Sequence, residues 1–301
     1  MVVVHLSSGL GNQLFQYAAG RALALARGVP LTVDPIAFAP RFRTPEGRSA
    51  RRMFAIGNLR LPIDIRKVPA HVLTTARGYT RVRQALRDGS RVKFVSSADY
   101  DAGFGRLPGN SVLSGYFQDR RYFLGYEDFI VREIQEALLN HSEGADQRTL
   151  PSAMPRGVAA VHVRRGDYLA HPEFHPDWFA GYYRRIVPHL LHGYDLERLD
   201  IYSDDVDWCI GAFAPLGDKV CVMPQDARSH GIGDLLRMSR YPLLSIANST
   251  FSWWAAAIAS LRGATVIAPA RWSQWNPRPA AALYRSAWGV VDFGGDAYGL
   301  A

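Results

Sequence analysis

The chain opens on a run of β-branched residues, Val2-Val3-Val4, followed by His5-Leu6 and the turn Ser7-Ser8-Gly9-Leu10-Gly11. An unbroken apolar run closed by a turn predicts a strand buried on both faces. Beyond the turn, Leu14, Tyr17, Ala18, Ala22 and Leu25 recur at helical spacing and predict a helix over 12–27. Gly28 stops it, Pro30 lies just beyond, and Leu31-Thr32-Val33 begins a second strand. Residues 41–110 are basic and turn-rich and show no sustained period. An amphipathic helix is predicted over 127–139.

From 141 to 157 the pattern lapses into "HSEGADQRTLPSAMPRG", a Pro, Ser and Gly stretch that reads as a linker. Strands then alternate with helices. The predicted strands are 158–163, 199–203, 219–223, 243–247 and a last one at 265–268. The predicted helices are 179–191, one near 207–213, 233–239 and one opened by Ser249. This order predicts α/β architecture with parallel doubly wound sheets, in two domains, 1–153 and 154–301.

Composition narrows the setting. The 301 residues contain two cysteines, Cys209 and Cys221, which give neither a zinc spacing nor a disulfide framework. They read as two small buried thiols in a reducing compartment. No stretch is long and apolar enough to span a membrane, and the opening reads as a strand, not a signal peptide. A cytoplasmic protein is expected. The net charge of +8 is concentrated: 41–93 holds fourteen Lys and Arg against Glu46, Asp64 and Asp88, which leaves the rest net acidic. Such a segment suits an anionic membrane or phosphorylated partner, and equally an ordinary solvated face. Zinc-finger, RRM and basic-zipper patterns are absent, so nucleic acid is not expected.

The polar clusters of the second half fall at carboxyl ends of predicted strands: His162-Val-Arg164-Arg165-Gly-Asp167, Ser203-Asp204-Asp205 and Asn248-Ser249-Thr250. Helix starts beyond such strands present unpaired N–H groups, and arginine adds a planar fork for two phosphate oxygens. Three clusters on one sheet edge predict a nucleoside-diphosphate site. Taken singly, Ser249 or Ser252 reads as a helix cap and Asp204-Asp205 as a solvated turn. The first turn, with Asp34 at the end of the second strand, partly matches a dinucleotide fingerprint and keeps an NAD-linked oxidoreductase as an alternative. However, Leu14 occupies the third glycine position, so the close helix–strand approach is not provided for there. A non-catalytic nucleotide-binding module is the other alternative. Asp205-Val-Asp207 spells the Asp-x-Asp of metal-dependent sugar transferases, but two arginines make a metal redundant and Asp207 reads as a helix start. No Gly-x-Ser-x-Gly elbow is present. Trp253-Trp254 either stack on a ligand or pack under a helix.

Six motifs occur in one order: "GLGNQLFQYA", "GYFQ", "HVRRGDY", "YSDD", "ANSTFSWWAA" and "VIAPARW". Together they resemble glycosyltransferase family 11, the α-1,2-fucosyltransferases, over nearly the whole chain and least clearly over 30–110. The resemblance implies a GT-B architecture, two Rossmann-like domains facing across a cleft, with no catalytic metal and no cofactor beyond the donor substrate. It implies GDP-β-L-fucose bound mainly by the C-terminal domain. The 2-hydroxyl of a galactose-terminated glycan would attack with inversion.

By the same resemblance Arg164 grips the diphosphate, His162 lies beside the nucleoside and Asp234 reads the guanine. Ser249, Thr250 and Phe251 form the phosphate-contacting turn, and Gly11 and Asn12 face the donor from the other domain. Asp204 and Asn248 complete the predicted binding set. Arg165 is either a neighbouring charge or a group buried against Asp204 or Asp205. The general base is sought among Asp167, Glu173 and His175, with Glu173 favoured by position. Two departures stand out: Ser7-Ser8-Gly9 replaces a glycine pair, and Tyr241-Pro242 replaces a cysteine and a basic residue. The basic 41–93 segment is expected to hold the enzyme peripherally at the inner face of a bacterial membrane.

Overall fold

The computed structural model describes residues 1–38, 53–65, 100–142, 154–170, 176–225, 231–272 and 280–292. The chain divides into two compact units, Met1–His141 and Ser142–Ala301.

In the first unit, strands β1 (Val2–His5), β2 (Leu31–Asp34), β3 (Asp64–Ile65) and β4 (Val112–Ser114) form a parallel sheet in the order β3-β2-β1-β4. Helix α1 (Leu10–Arg27) follows β1, and α2 (Glu127–Ser142) closes the unit. Gly28, at φ 61°, caps α1 as its sequence position predicts: its N–H reaches the Leu25 carbonyl at 3.2 Å, and that of Val29 reaches Ala24 at 3.0 Å. The close approach of α1 to its sheet, not expected at Leu14, is made at Gly20. A Cβ there would fall 2.3 Å from Val4 Cγ2 and 2.9 Å from Leu31 Cδ1. The helix therefore seats on β1 and β2 through a glycine six residues later than the dinucleotide pattern places it.

In the second unit, β5 (Val158–Val163), β6 (Arg198–Ser203), β7 (Val220–Val222), β8 (Leu243–Ser245), β9 (Thr265–Pro269) and β10 (Gly289–Val291) are parallel in the order β10-β9-β8-β5-β6-β7. Helices α3 (Pro176–Gly193), α4 (Val206–Phe213), α5 (Ile232–Met238), α6 (Thr250–Ser260) and α7 (Ala280–Leu283) connect them. Counted from β5, this is the Rossmann strand order 3-2-1-4-5-6. All six residues of β5 are buried, as a central strand covered on both faces requires. Val161, Val163, Tyr182, Tyr183, Ile186 and Ile201 fill one core layer.

The alternation thus gives α/β architecture with two parallel sheets, as predicted. Three strands were not expected: β3 and β4 extend the first sheet on either side, and β10 extends the second past 265–268. The cysteine expectation holds for buried Cys209, whereas Cys221 is only half-buried. Among the described residues no helix is long and apolar enough to cross a membrane.

Candidate functional site

Where a doubly wound sheet reverses its strand order, the connections after two neighbouring strands leave in opposite directions and open a crevice at their carboxyl ends. In the second unit that point lies between β5 and β8. The loop after β5 is built around one carboxylate. Asp204 Oδ1 accepts the N–H groups of Arg165 (2.8 Å) and Gly166 (3.1 Å), while its Oδ2 meets Arg164 Nη1 at 2.7 Å. Gly166 is required by this close approach, since a Cβ would stand 2.5 Å from Asp204 Oδ2. The Tyr183 hydroxyl, from α3, accepts the Arg164 amide at 3.1 Å.

Arg164 is gripped from both sides. Its Nη2 meets Asp167 Oδ1 at 2.6 Å, and its Cζ lies 5.3 Å from the centre of the Tyr168 ring. Tyr168 in turn donates to the Asn248 carbonyl at 3.0 Å, across the switch point. Burial alone would weaken the charge, but Asp204 and then Asp167 outweigh it and raise the guanidinium above its ordinary value. The result is a fixed, permanent cation whose Nε is buried without a protein partner.

Arg165 has a different office. Its Nε meets Asp205 Oδ2 at 3.1 Å and its Cζ stacks 4.1 Å over Trp208, leaving the side chain 12% exposed. Asp205 also caps α4, accepting the Trp208 N–H at 3.3 Å. The helix starts at Val206 and not at Asp207. Of the two alternatives for Arg165, the structure shows the pair with Asp205, half-buried. The first carboxylate of the Asp-x-Asp motif is spent on that pair and on the cap.

His162 is the last residue but one of β5, 5% exposed, with its ring 5.6 Å from that of Phe251 at the start of α6. Burial, and then the nearby Arg164 charge, push the imidazole down to about 3, so it is neutral. Phe251 also touches the turn at Gly231, φ 88°, where a Cβ would lie 3.0 Å from Phe251 Cε2. The β5, α5 and α6 contributions therefore meet around Phe251. On α5, Asp234 pairs with Arg237 at 3.1 Å. Ser249 caps α6, accepting the Phe251 N–H at 3.4 Å. Asn248 is 1% exposed; its Nδ2 donates to Trp272 O at 2.9 Å and its Oδ1 finds no partner. Buried polar atoms are rarely left unpaired. His162 Nδ1, Arg164 Nε and Asn248 Oδ1 all are, on residues flanking one switch point.

In the first unit, Gly11 and Asn12 lie in the first turn of α1. Asn12 Nδ2 donates to Ser8 Oγ at 2.9 Å, and its Oδ1 accepts from Gln118 Nε2 at 2.8 Å. Ser8 holds φ 67°, so the departure from a glycine pair places a serine in the left-handed region. Asp34 is 2% exposed, accepts the Ile36 N–H at 3.1 Å and meets His5 Nδ1 at 3.1 Å. It is consumed within the fold and is not presented as a ribose-binding acid.

Residues 83–292 match the profile of glycosyl transferase family 11. The chain belongs to that family. It is 27% identical over 297 residues to the O-antigen biosynthesis glycosyltransferase WbnK of Escherichia coli, covering 90% of this chain and 94% of that protein. It is 25% identical over 286 residues to an Escherichia coli α-1,2-colitosyltransferase, covering 90% and 92%. Among solved structures it is similar to the NodZ α-1,6-fucosyltransferase soaked with GDP-fucose, at 13% identity and TM-score 0.45, covering 85% of this chain and 92% of that one.

In this family 11 glycosyltransferase the sequence-predicted residues of the second unit are brought together at one sheet edge: His162, Arg164, Asp167, Asp204, Asn248, Ser249, Thr250 and Phe251. Asp234 lies three residues beyond the Gly231 turn that faces Phe251, and it pairs with Arg237. The base candidates Glu173 and His175 lie outside the described residues, as does most of 41–93. Trp253 and Trp254 pack in the core, the second of the two readings. Both are fully buried, 4.9 Å apart edge to face, and Trp253 donates to Leu283 O. Tyr168 and Tyr183 were not assigned roles from sequence. Tyr168 stood inside the quoted motif, whereas Tyr183 gave no signal beyond core spacing.

Proposed function

We propose that this family 11 enzyme transfers L-fucose from GDP-β-L-fucose to the 2-hydroxyl of a galactose in a surface-polysaccharide precursor, with inversion and without a metal ion. The observation that carries the reading is the Arg164 guanidinium, held by Asp204 and Asp167 beside the start of α6. Departure of GDP builds negative charge on the diphosphate, and a donor fixed before the reaction stabilises that charge without reorganising. Arg164 takes this role, with the serine-threonine start of α6 beside it. His162, neutral and against Phe251, lies on the nucleoside side, where a second positive charge would be misplaced. Asn248 Oδ1 is an acceptor for a donor hydroxyl or N–H.

The sugar passes through an oxocarbenium-like state, so much of the rate comes from holding the attacking hydroxyl in line. The acceptor proton leaves to a base, for which Glu173 stays the candidate. Similarity to an O-antigen glycosyltransferase and to an enzyme named for an α-1,2 linkage supports both the acceptor class and the position of attack. The basic 41–93 segment supports peripheral contact with an anionic membrane on the cytoplasmic side. Reversing several of its arginines is expected to abolish binding to anionic vesicles; unchanged binding contradicts that contact.

The test is a panel of GDP-sugars, GDP-fucose first, with β-galactoside acceptors and NMR assignment of the product linkage. An α-linked fucose on O2 of galactose is expected. Transfer of a different sugar, or to a different position, overturns the reading.

A further inference from the structure

Among the described residues, two that are not glycine hold left-handed backbone: Ser8 at φ 67° and Phe117 at φ 50°. They follow β1 and β4, which are neighbours in the first sheet, with His5 opposite Ser114. Both therefore stand at the switch point of the first unit, and backbone strain of this kind persists only where the surroundings enforce it. Here they do. The Phe117 ring is fully buried, 5.2 Å from Tyr122 and 6.1 Å from Phe104. A relay of side chains, Gln118 to Asn12 to Ser8, links the two turns at 2.8 and 2.9 Å. Gln16 pins both as well, accepting the Ser7 N–H at 2.9 Å and donating to Gly115 O at 3.0 Å.

The outcome of this bracing is Tyr116, which stays 47% exposed beside a fully buried Phe117. The side chains that link its turn to the one after β1 are amides and a hydroxyl: Gln118, Asn12 and Ser8. The nearest arginines along the chain are held elsewhere, Arg120 by Glu127 and Arg121 by Asp119, each at 2.6 Å. Among the described residues this edge offers an aromatic face and neutral hydrogen-bonding groups, while Arg120 and Arg121 are held by carboxylates. A pyranose matches it, since its C–H face packs on an aromatic ring while its hydroxyls meet amides.

We propose that Tyr116 recognises the acceptor, its ring forming the platform for the galactose, with the Ser8–Asn12–Gln118 relay as the positioning group that holds the platform out. This rests on the galactoside fucosyltransferase reading, and it extends the "GYFQ" motif from a family signature to a specificity determinant.

Two measurements test it. In steady-state assays with donor and acceptor varied separately, Tyr116→Ala is expected to raise the acceptor KM about tenfold or more while the GDP-fucose KM stays within about twofold. Tyr116→Trp and Tyr116→Phe are expected to retain acceptor binding. An unchanged acceptor KM, or an equal rise in the donor KM, overturns the proposal. Saturation-transfer NMR with lactose and GDP needs no turnover. Signal on the galactose protons that is lost in Tyr116→Ala supports the platform; equal signal in the variant, or none in the wild type, refutes it. Lactose binding without sugar transfer would leave the platform standing and defeat the reading of the reaction.

Discussion

The Tyr168 hydroxyl and the Asn248 carbonyl meet at 3.0 Å, so the loop leaving β5 is tied to the loop leaving β8. The same Tyr168 ring lies beside the Arg164 guanidinium. One side chain therefore sets both the width of the crevice and the pose of its cation. Tyr168→Phe keeps the ring and removes the tie. It is expected to lower kcat/KM about tenfold with stability changed by less than about 1 kcal/mol, as loss of one half-buried hydrogen bond implies. Steady-state kinetics and urea unfolding of the same preparation check it.

Arg164 is expected to be far more sensitive. Arg164→Ala should lower kcat by about a hundredfold or more, the scale of losing one preorganised charge donor. Arg164→Lys should recover little, because an ammonium cannot span Asp204 and Asp167 as the fork does. Calorimetric titration with GDP separates loss of ground-state binding from loss of turnover.

The neighbouring arginine should behave in the opposite way. Arg165→Ala removes the pair with Asp205 and the stack on Trp208, and is expected to cost about 1–3 kcal/mol of stability. Turnover of the protein that remains folded should fall much less than in Arg164→Ala. A lost turnover at unchanged melting temperature would return Arg165 to the ligand.

His162 gives stability a pH dependence of definite sign. The folded protein holds the imidazole neutral down to about 3, whereas the unfolded chain protonates it near its ordinary value of 6.5. Protons therefore favour the unfolded state between those limits. Its contribution is full above about pH 6.5 and is lost as pH falls toward 3, by up to about 1.4 kcal/mol per unit. Urea unfolding at pH 7 and pH 5 is expected to show a smaller drop in His162→Gln than in the wild type.

Much of this was legible in the sequence because parallel sheets write a strong signal. Buried strands such as 158–163 are apolar on both faces, and the polar groups that follow them mark the edge where ligands bind. The arginines were legible as a pair but not as individuals. Adjacent residues in a loop carry no periodicity, and the direction of Arg165 is set by Asp205 and Trp208, some forty residues on. The tryptophan pair was left between two readings in sequence: α6 is buried around its whole circumference from Ser252 to Ala259, and a short motif does not register that environment. Strand β10 escaped notice because three residues with Val290 42% exposed show neither alternation nor an apolar run. Gly20 had no pattern at all, since its need arises only from how closely α1 lies on Val4.

The most direct test of the central claim is a single assay: purified protein, GDP-fucose, a β-galactoside and excess EDTA, with product followed by mass spectrometry. Transfer of one deoxyhexose at an undiminished rate is the predicted result. The absence of fucosylated product across several galactosides, or a rate that collapses with EDTA and returns with a divalent ion, would contradict it.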